Sequence, residues 1–277
     1  MLENDGGVLL ETTAFREIHV FEYCQGTQKG EACMFAKRIV TVLVLLLLPF
    51  ALMAYQLSPL NVTYDPTGAG SARVYTIVND SDAPIAIEVR AEQRIIDIDG
   101  NEVNQDGSAY FSIQPNRMII RPDSTQLVRV QYRGPQTVTR ELSFRIISEQ
   151  IAMPRGAQDE ESGQMISFLF VYSTSAYVKP SRVVESVTPS VTETEDGKLE
   201  IVLDNTGSVH QMLNSLVITL AGDDGTSYTL TEDELAPLSG QNLLTNSKLR
   251  TVIEMPEVLS GAESIAAEIS YDYTYSA

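Results

Sequence analysis

The chain has 277 residues, of which 43% are hydrophobic and 20% are charged, and its formal net charge is −18. This length accommodates one large domain or two ordinary ones. The acidic balance argues against a nucleic-acid partner, because phosphate binding needs a basic surface.

The N-terminal region has the pattern of an export signal that begins at Met34. Lys37 and Arg38 form a basic segment, an apolar run follows over 39–52, and Ala54 is a small residue suited to a cleavage site. The apolar run is shorter than the about 20 residues of a transmembrane helix, although an uncleaved anchor is the alternative. We predict a signal peptide over 34–54, and we interpret 1–33 as a mis-called extension.

Cysteine occurs only at Cys24 and Cys33, within that extension. The chain after residue 54 is therefore expected to contain no disulfide, no thiolate metal site and no cysteine nucleophile.

From Tyr55 onward, apolar residues alternate and turn signals recur at short intervals, a pattern typical of an all-β sandwich. Asp99-Gly100-Asn101 is a strong tight-turn signal. The strands predicted in the first half are 73–78, 85–90, 95–98, 111–113, 118–120, 126–132 and 141–147.

The most apolar strand is predicted over 165–172, continuing to Val178, after a polar loop over 154–163. Ile166, Phe168, Phe170 and Tyr172 share one face by the two-residue period, and Leu169 and Val171 occupy the other. A strand that is apolar on both faces is either central in a packed sheet or an edge that adds a partner strand. The residue pattern leaves both readings open.

Lys179-Pro180 is predicted to separate two domains, because proline cannot continue a sheet ladder and the strand pattern restarts after it. The predicted domains are 55–179 and 180–277, each of a size typical of a sandwich. The strands predicted in the second half are 199–203, 216–220, 228–230, 251–253 and 264–273.

Residues with catalytic or metal-binding chemistry do not form a recognisable constellation. His210 is the one histidine after residue 54, no nucleophile-elbow pattern accompanies a serine, and we interpret His210 as a loop or surface residue. The acidic stretch 97–102 has its glycine at the wrong position for a calcium loop and reads as a hairpin turn. We therefore expect no enzyme activity, catalytic residue, metal, cofactor or small-molecule substrate.

Several stretches together resemble the PapD-like periplasmic chaperones of the chaperone–usher pilus pathway. The resemblance covers most of 57–180, and in the second half it is carried mainly by size and by the residues Ser270 to Tyr273. The stretches of the first half are FSIQP at 111–115, IRPDSTQLVRV at 120–130, RELSFR at 140–145, MPR at 153–155 and VKP at 178–180.

The resemblance implies two immunoglobulin-like domains set in an L, located in the periplasm. It also implies that the strand before the hinge completes the fold of pilus or fimbrial subunits, with an outer-membrane usher as a further partner. The positions that match the subunit-binding donor strand are Ile166, Phe168, Phe170 and Tyr172, so the resemblance favours the edge reading of this strand.

Charged positions of the family are matched only in part. Glu141, Lys179 and Asp272 match a buried network that fixes the angle between the domains, with lysine where the family has arginine. Asn61 and Ser175 match the positions that anchor the carboxylate of a subunit, but neither is charged. Either Arg73 or Lys179 serves in their place, or this protein does not clamp a carboxylate in the usual way.

The sequence thus predicts a periplasmic chaperone that binds pilus subunits by donating the strand 165–172. The alternative is a structural or adhesive surface protein that is built from the same sandwich modules and is itself a pilus component.

Overall fold

Alternating apolar residues produce strands throughout the part of the chain that the structure describes. A computed structural model describes residues 55–153 and 169–273. Helix is confined there to α1 (Glu232–Leu235) and to single 3-10 turns. The strands of the first half are β1 (Gln56–Ser58), β2 (Asn61–Tyr64), β3 (Ala72–Asn79), β4 (Ile85–Gln93), β5 (Gln105–Asp106), β6 (Phe111–Gln114), β7 (Arg117–Ile120), β8 (Ser124–Tyr132), β9 (Leu142–Ile151) and β10 (Val171–Val178).

These strands form two sheets that face each other as the first sandwich. One sheet has the order β1-β3-β8-β6, and the other has the order β2-β10-β9-β4-β5, with β7 also paired to β4. The chain changes sheet between β1, which pairs antiparallel with β3, and β2, which pairs parallel with β10. This change leaves β10 with two different neighbours on its two edges.

The inward faces of the two sheets meet in one apolar core. Aromatic rings pack at its centre, where Phe111 contacts Phe144 with ring centroids 5.0 Å apart and Tyr64 with centroids 5.4 Å apart. Ile77 and Ile87 are fully buried beside them. Burial of this apolar surface is the main force that holds the two sheets together.

The second sandwich has its own core, which is rich in leucine. Its sheets have the orders β11-β12-β17 and β15-β14-β18, and β13 pairs with β16. Leu203, Leu213 and Ile218 are fully buried between them. The strands are β11 (Val187–Glu193), β12 (Leu199–Asn205), β13 (Gln211–Met212), β14 (Val217–Gly222), β15 (Ser227–Thr229), β16 (Asn242–Leu243), β17 (Lys248–Ile253) and β18 (Ile265–Ser270).

The expectation of an all-β chain built from two sandwiches is confirmed. The sequence did not predict the short strands β1, β2, β5, β13 and β16, nor β11 and α1. β2 has only four residues, and β11 contains Pro189, which is tolerated because β11 lies at the edge of its sheet. α1 begins at a capping box between Thr231 and Glu234.

Some predictions fall on residues outside those described. These are the extension 1–33, the signal peptide 34–54 and residues 165–168 of the donor strand. The division into domains 55–179 and 180–277 stays a prediction, although no strand lies between Val178 and Val187.

Truncation of core and surface isoleucines on the paired strands β4 and β7 tests this core. Ile87 is fully buried, whereas Ile119 is 68% exposed. We expect Ile87→Ala to lower the free energy of unfolding by about 2–5 kcal/mol, because it leaves a cavity. Ile119→Ala is expected to change it by less than about 0.5 kcal/mol. Urea unfolding of both variants makes the measurement, and equal losses would contradict the assigned core.

Candidate functional site

One edge of β10 is only partly covered. β9 pairs with β10 along its whole length, from Val171 to Val178. On the other edge, β2 pairs only with the second half, where Asn61 is opposite Ser175 and Tyr64 is opposite Val178. Among the described residues, no strand pairs with 171–174 on that side. The first half of β10 is therefore an open edge.

Main-chain groups on this edge point outward. The N–H of Gln150 on β9 donates to the carbonyl oxygen of Phe170 at 2.9 Å, and the N–H of Ser175 donates to the carbonyl of Leu60 on the other side at 2.9 Å. Hydrogen bonding alternates along an antiparallel pair, so the N–H and C=O groups of Val171 and Ser173 face away from β9. An added strand could hydrogen-bond to these groups.

Side chains before and within this edge alternate between the core and solvent. Phe170 and Tyr172 pack against the core of the first sandwich, and the Tyr172 hydroxyl donates to the carbonyl of Tyr55 at 2.6 Å. Leu169 and Val171 face the other way and are 49% and 57% exposed.

The predicted donor row of Ile166, Phe168, Phe170 and Tyr172 stays a prediction. Phe170 and Tyr172 lie partly buried against the core of the first sandwich, whereas Leu169 and Val171 point outward on the other face of the strand. The other two members, Ile166 and Phe168, lie outside the described residues.

The two uncharged anchor positions lie side by side where the open edge ends. Asn61 and Ser175 are direct partners in the parallel pair of β2 and β10. Ser175 Oγ accepts a hydrogen bond from Arg145 Nη1 at 2.8 Å, and Arg145 lies directly opposite Ser175 on β9. The guanidinium group of Arg145 therefore lies beside Asn61 and Ser175, the two uncharged residues at the anchor positions.

Arg145 was missed by sequence reasoning, since only the register of β9 against β10 brings it to Ser175. The two charged residues that were considered instead have other contacts. Arg73 donates to the carbonyl of Thr63 at 2.7 Å, and Lys179 pairs with Asp65.

A carboxylate orients the guanidinium of Arg145. Glu102 accepts from Arg145 Nε at 2.8 Å and from Arg145 Nη2 at 2.7 Å, and it also accepts from Arg94 Nε at 2.7 Å. Burial by itself would raise the pKa of Glu102, but hydrogen bonds from Arg145, Asn104 and Arg94 outweigh it and lower that pKa to about 2. Two arginines thus share one carboxylate, and Nη1 of Arg145 remains directed at Ser175.

The predicted network of Glu141, Lys179 and Asp272 is not formed. Glu141 is buried and contacts His210, whose Nδ1 lies 2.6 Å from Glu141 Oε1. Asp272 accepts from the Ser215 hydroxyl at 2.8 Å. The prediction was wrong because the lysine turns toward β2, where Asp65 follows the strand, while a histidine from the second sandwich reaches the buried acid.

His210 is correspondingly not a surface residue. It is 7% exposed, and its ring stacks on Tyr177 with centroids 4.1 Å apart and planes 11° apart. Tyr177 is on β10 in the first sandwich, and its hydroxyl accepts from Asn242 of the second at 2.8 Å. These contacts join the two sandwiches.

Metal-binding groups do not cluster in the described residues, where no three His, Asp or Glu side chains are placed to share an ion. Asp97 accepts instead from the main-chain N–H of Asn101 in its own hairpin. Within 55–153 and 169–273, no helix has the length and apolar character needed to cross a membrane.

Solved structures of other proteins show the same architecture. The class 5 fimbriae chaperone CfaA superposes with a TM-score of 0.52 and 12% identity, over 80% of this chain and 94% of that one. The fold is that of a fimbrial chaperone. A chain from a chaperone–tip adhesin complex, described as vital for activation of CFA/I fimbriae biogenesis, gives a TM-score of 0.50 at 12% identity, over 79% of this chain and 98% of that one.

Similarity in sequence does not extend as far. No family model matches the chain, and no curated protein matches it. The chaperone fold was nevertheless predicted correctly from short stretches, of which 111–115, 120–130 and 140–145 lie largely on β6, β7, β8 and β9 of the first sandwich.

Alanine substitutions of His210 and Lys179 test the contacts that replace the predicted network. We expect His210→Ala to lower the free energy of unfolding by about 1–3 kcal/mol, because the buried Glu141 carboxylate loses one side-chain partner and keeps the main-chain N–H of residue 210. Lys179→Ala breaks an exposed pair and is expected to cost less than about 1 kcal/mol. Urea midpoints of the two variants provide the comparison, and a larger loss for Lys179→Ala would restore the predicted network.

Proposed function

We propose that this protein is a periplasmic chaperone that binds subunits of pili or fimbriae whose own fold lacks a strand. The open edge of β10 supports the proposal most directly. Val171 and Ser173 present unpaired main-chain groups on a strand whose other edge is held by β9. A strand with one fixed edge and one free edge is suited to strand addition.

The outward side chains supply an apolar contact for such a partner. Leu169 and Val171 are large, apolar and about half exposed, and Leu60, at 58% exposed, lies where β2 begins. An incoming strand beside 171–174 would meet Leu60 and could not continue past Asn61, because β2 occupies the edge from there. The end of the partner strand would thus lie near Ser175.

Arg145 supplies a positively charged group at this end of the site. If the partner strand runs parallel to β10, as β2 does, its carboxyl end comes to Asn61 and Ser175. Both side chains can donate hydrogen bonds, and Arg145 adds the charge that strengthens a bond to a carboxylate. A parallel strand that ends in a free carboxylate is therefore the partner that we infer.

Co-expression with subunits encoded by neighbouring genes, followed by pull-down from the periplasm, tests strand addition. We expect Val171→Asp to abolish capture, because a charge replaces an apolar contact at the edge. Val74→Asp is the matched control, since Val74 is a similarly exposed valine, at 53%, on β3 of the other sheet.

Equal capture by the two variants would show that the edge is not used. Recovery of the protein itself in purified fibres would favour the alternative of a structural pilus component.

Peptides from the C-terminus of a captured subunit, of about ten residues, test the carboxylate end. We expect the wild type to bind the free-acid peptide about tenfold more tightly than its amidated form, because one charge-assisted hydrogen bond is lost. Arg145→Gln is expected to remove this preference, whereas Arg129→Gln, on the other sheet, is expected to keep it. Titration calorimetry measures both affinities, and an unchanged preference in Arg145→Gln would exclude the role of Arg145.

A further inference from the structure

A hairpin over 95–103 extends from the first sandwich to the second. It is closed by a hydrogen bond from the Val103 N–H to the Ile95 carbonyl at 2.8 Å and by a bridge between Ile96 and Glu102. Gly100 adopts a φ of +83° at the turn, in the left-handed region that favours glycine. The hairpin therefore has a defined conformation, with a turn at its tip and paired residues at its base.

The tip of the hairpin contacts the second sandwich. The Arg250 N–H on β17 donates to the carbonyl of Ile98 at 3.0 Å, and Arg250 Nε lies 2.7 Å from Asp99 Oδ1. Ile96, which lies directly opposite Glu102 in the hairpin, packs partly buried against the core of the second sandwich. Together, an apolar contact, a main-chain hydrogen bond and an ion pair hold the hairpin against the second sandwich.

The base of the hairpin contacts the candidate site. Glu102 binds the Nε and Nη2 side of Arg145, and this leaves the Nη1 side directed at Ser175 Oγ. Glu102 thus orients the guanidinium and does not cover the side that faces the open edge. Arg94, whose side chain is 9% exposed, holds the same carboxylate from the other direction.

We propose that the hairpin 95–103 is a strut that makes Arg145 depend on the second sandwich, with Glu102 holding the guanidinium and with Ile96 and Asp99, which contact the second sandwich, as positioning residues. The inference rests on the proposed function, because it concerns how the partner's carboxylate is recognised. Since one hairpin joins β17 to Arg145, loosening its contacts with the second sandwich releases Glu102 and lets the guanidinium turn away from Ser175. Recognition of the carboxylate is then lost without any change at the edge itself.

The test changes the two hairpin side chains that contact the second sandwich, Ile96→Ala with Asp99→Asn, in the full chain, and this double variant is called the tip variant. Both changes are made because an exposed ion pair alone contributes little. The probes are the free-acid and amidated subunit peptides described above. We expect the tip variant to bind the amidated peptide as the wild type does, while its preference for the free acid falls from about tenfold to less than about threefold.

The matched control is Val191→Ala with Asp204→Asn. Val191 packs partly buried against the same second core, and Asp204 forms an ion pair with Lys248, but neither contacts the hairpin in these interactions. We expect the control to keep the preference of the wild type. Amidated-peptide binding also reports whether each variant is folded, which separates positioning from a general loss of structure.

The outcomes distinguish the inference from the proposed function. If the wild type binds neither peptide, the proposed function is wrong, and the inference about the hairpin, which rests on it, is wrong too. If the wild type prefers the free acid and the tip variant keeps that preference, only the strut is wrong. If the control loses the preference as much as the tip variant, the hairpin has no special role. Loss in the tip variant alone supports the strut.

Discussion

The structure depends on how the two edges of one strand are hydrogen-bonded. β9 satisfies one edge of β10 throughout, whereas β2 satisfies the other edge only from Ser175 onward. An unpaired edge on a twisted sheet is a hazard in most proteins, because it templates pairing with other chains. Here the core behind it is anchored by Phe170 and Tyr172, so the edge is presented on a well-packed strand and not on a loop.

Most of the fold could be predicted from the alternation of apolar residues along the sequence. The two-residue period identified β3, β4, β8 and β9, because each buries one face against a common core. It could not decide which face of 165–172 is buried, since both faces are apolar. That choice depends on where Tyr55 and the opposite sheet lie, which the local pattern does not contain.

The charged groups were less predictable for a related reason. Asn61 and Ser175 were expected at the anchor positions, and that assignment stays a prediction, although the two residues are direct partners in the pair of β2 and β10. Arg145 could not be added, because a residue 30 positions away along the chain becomes a neighbour of Ser175 only through strand pairing. His210 lies in a loop, as predicted, but it is buried and not at the surface, because Glu141 contacts it from the other sandwich. Contacts between the two sandwiches do not produce a periodic pattern in the sequence of either one, so the pattern could not predict them.

The guanidinium of Arg145 also has a consequence for rates. The chain carries a net charge of −18, so most of its surface repels acidic molecules at a distance. A guanidinium beside Ser175, where the open edge ends, gives an approaching chain with a negative end a preferred orientation before any contact forms. Such steering accelerates encounter and weakens as salt screens it. Arg145 therefore bears on how quickly a partner docks in the correct direction, in addition to how firmly it is held.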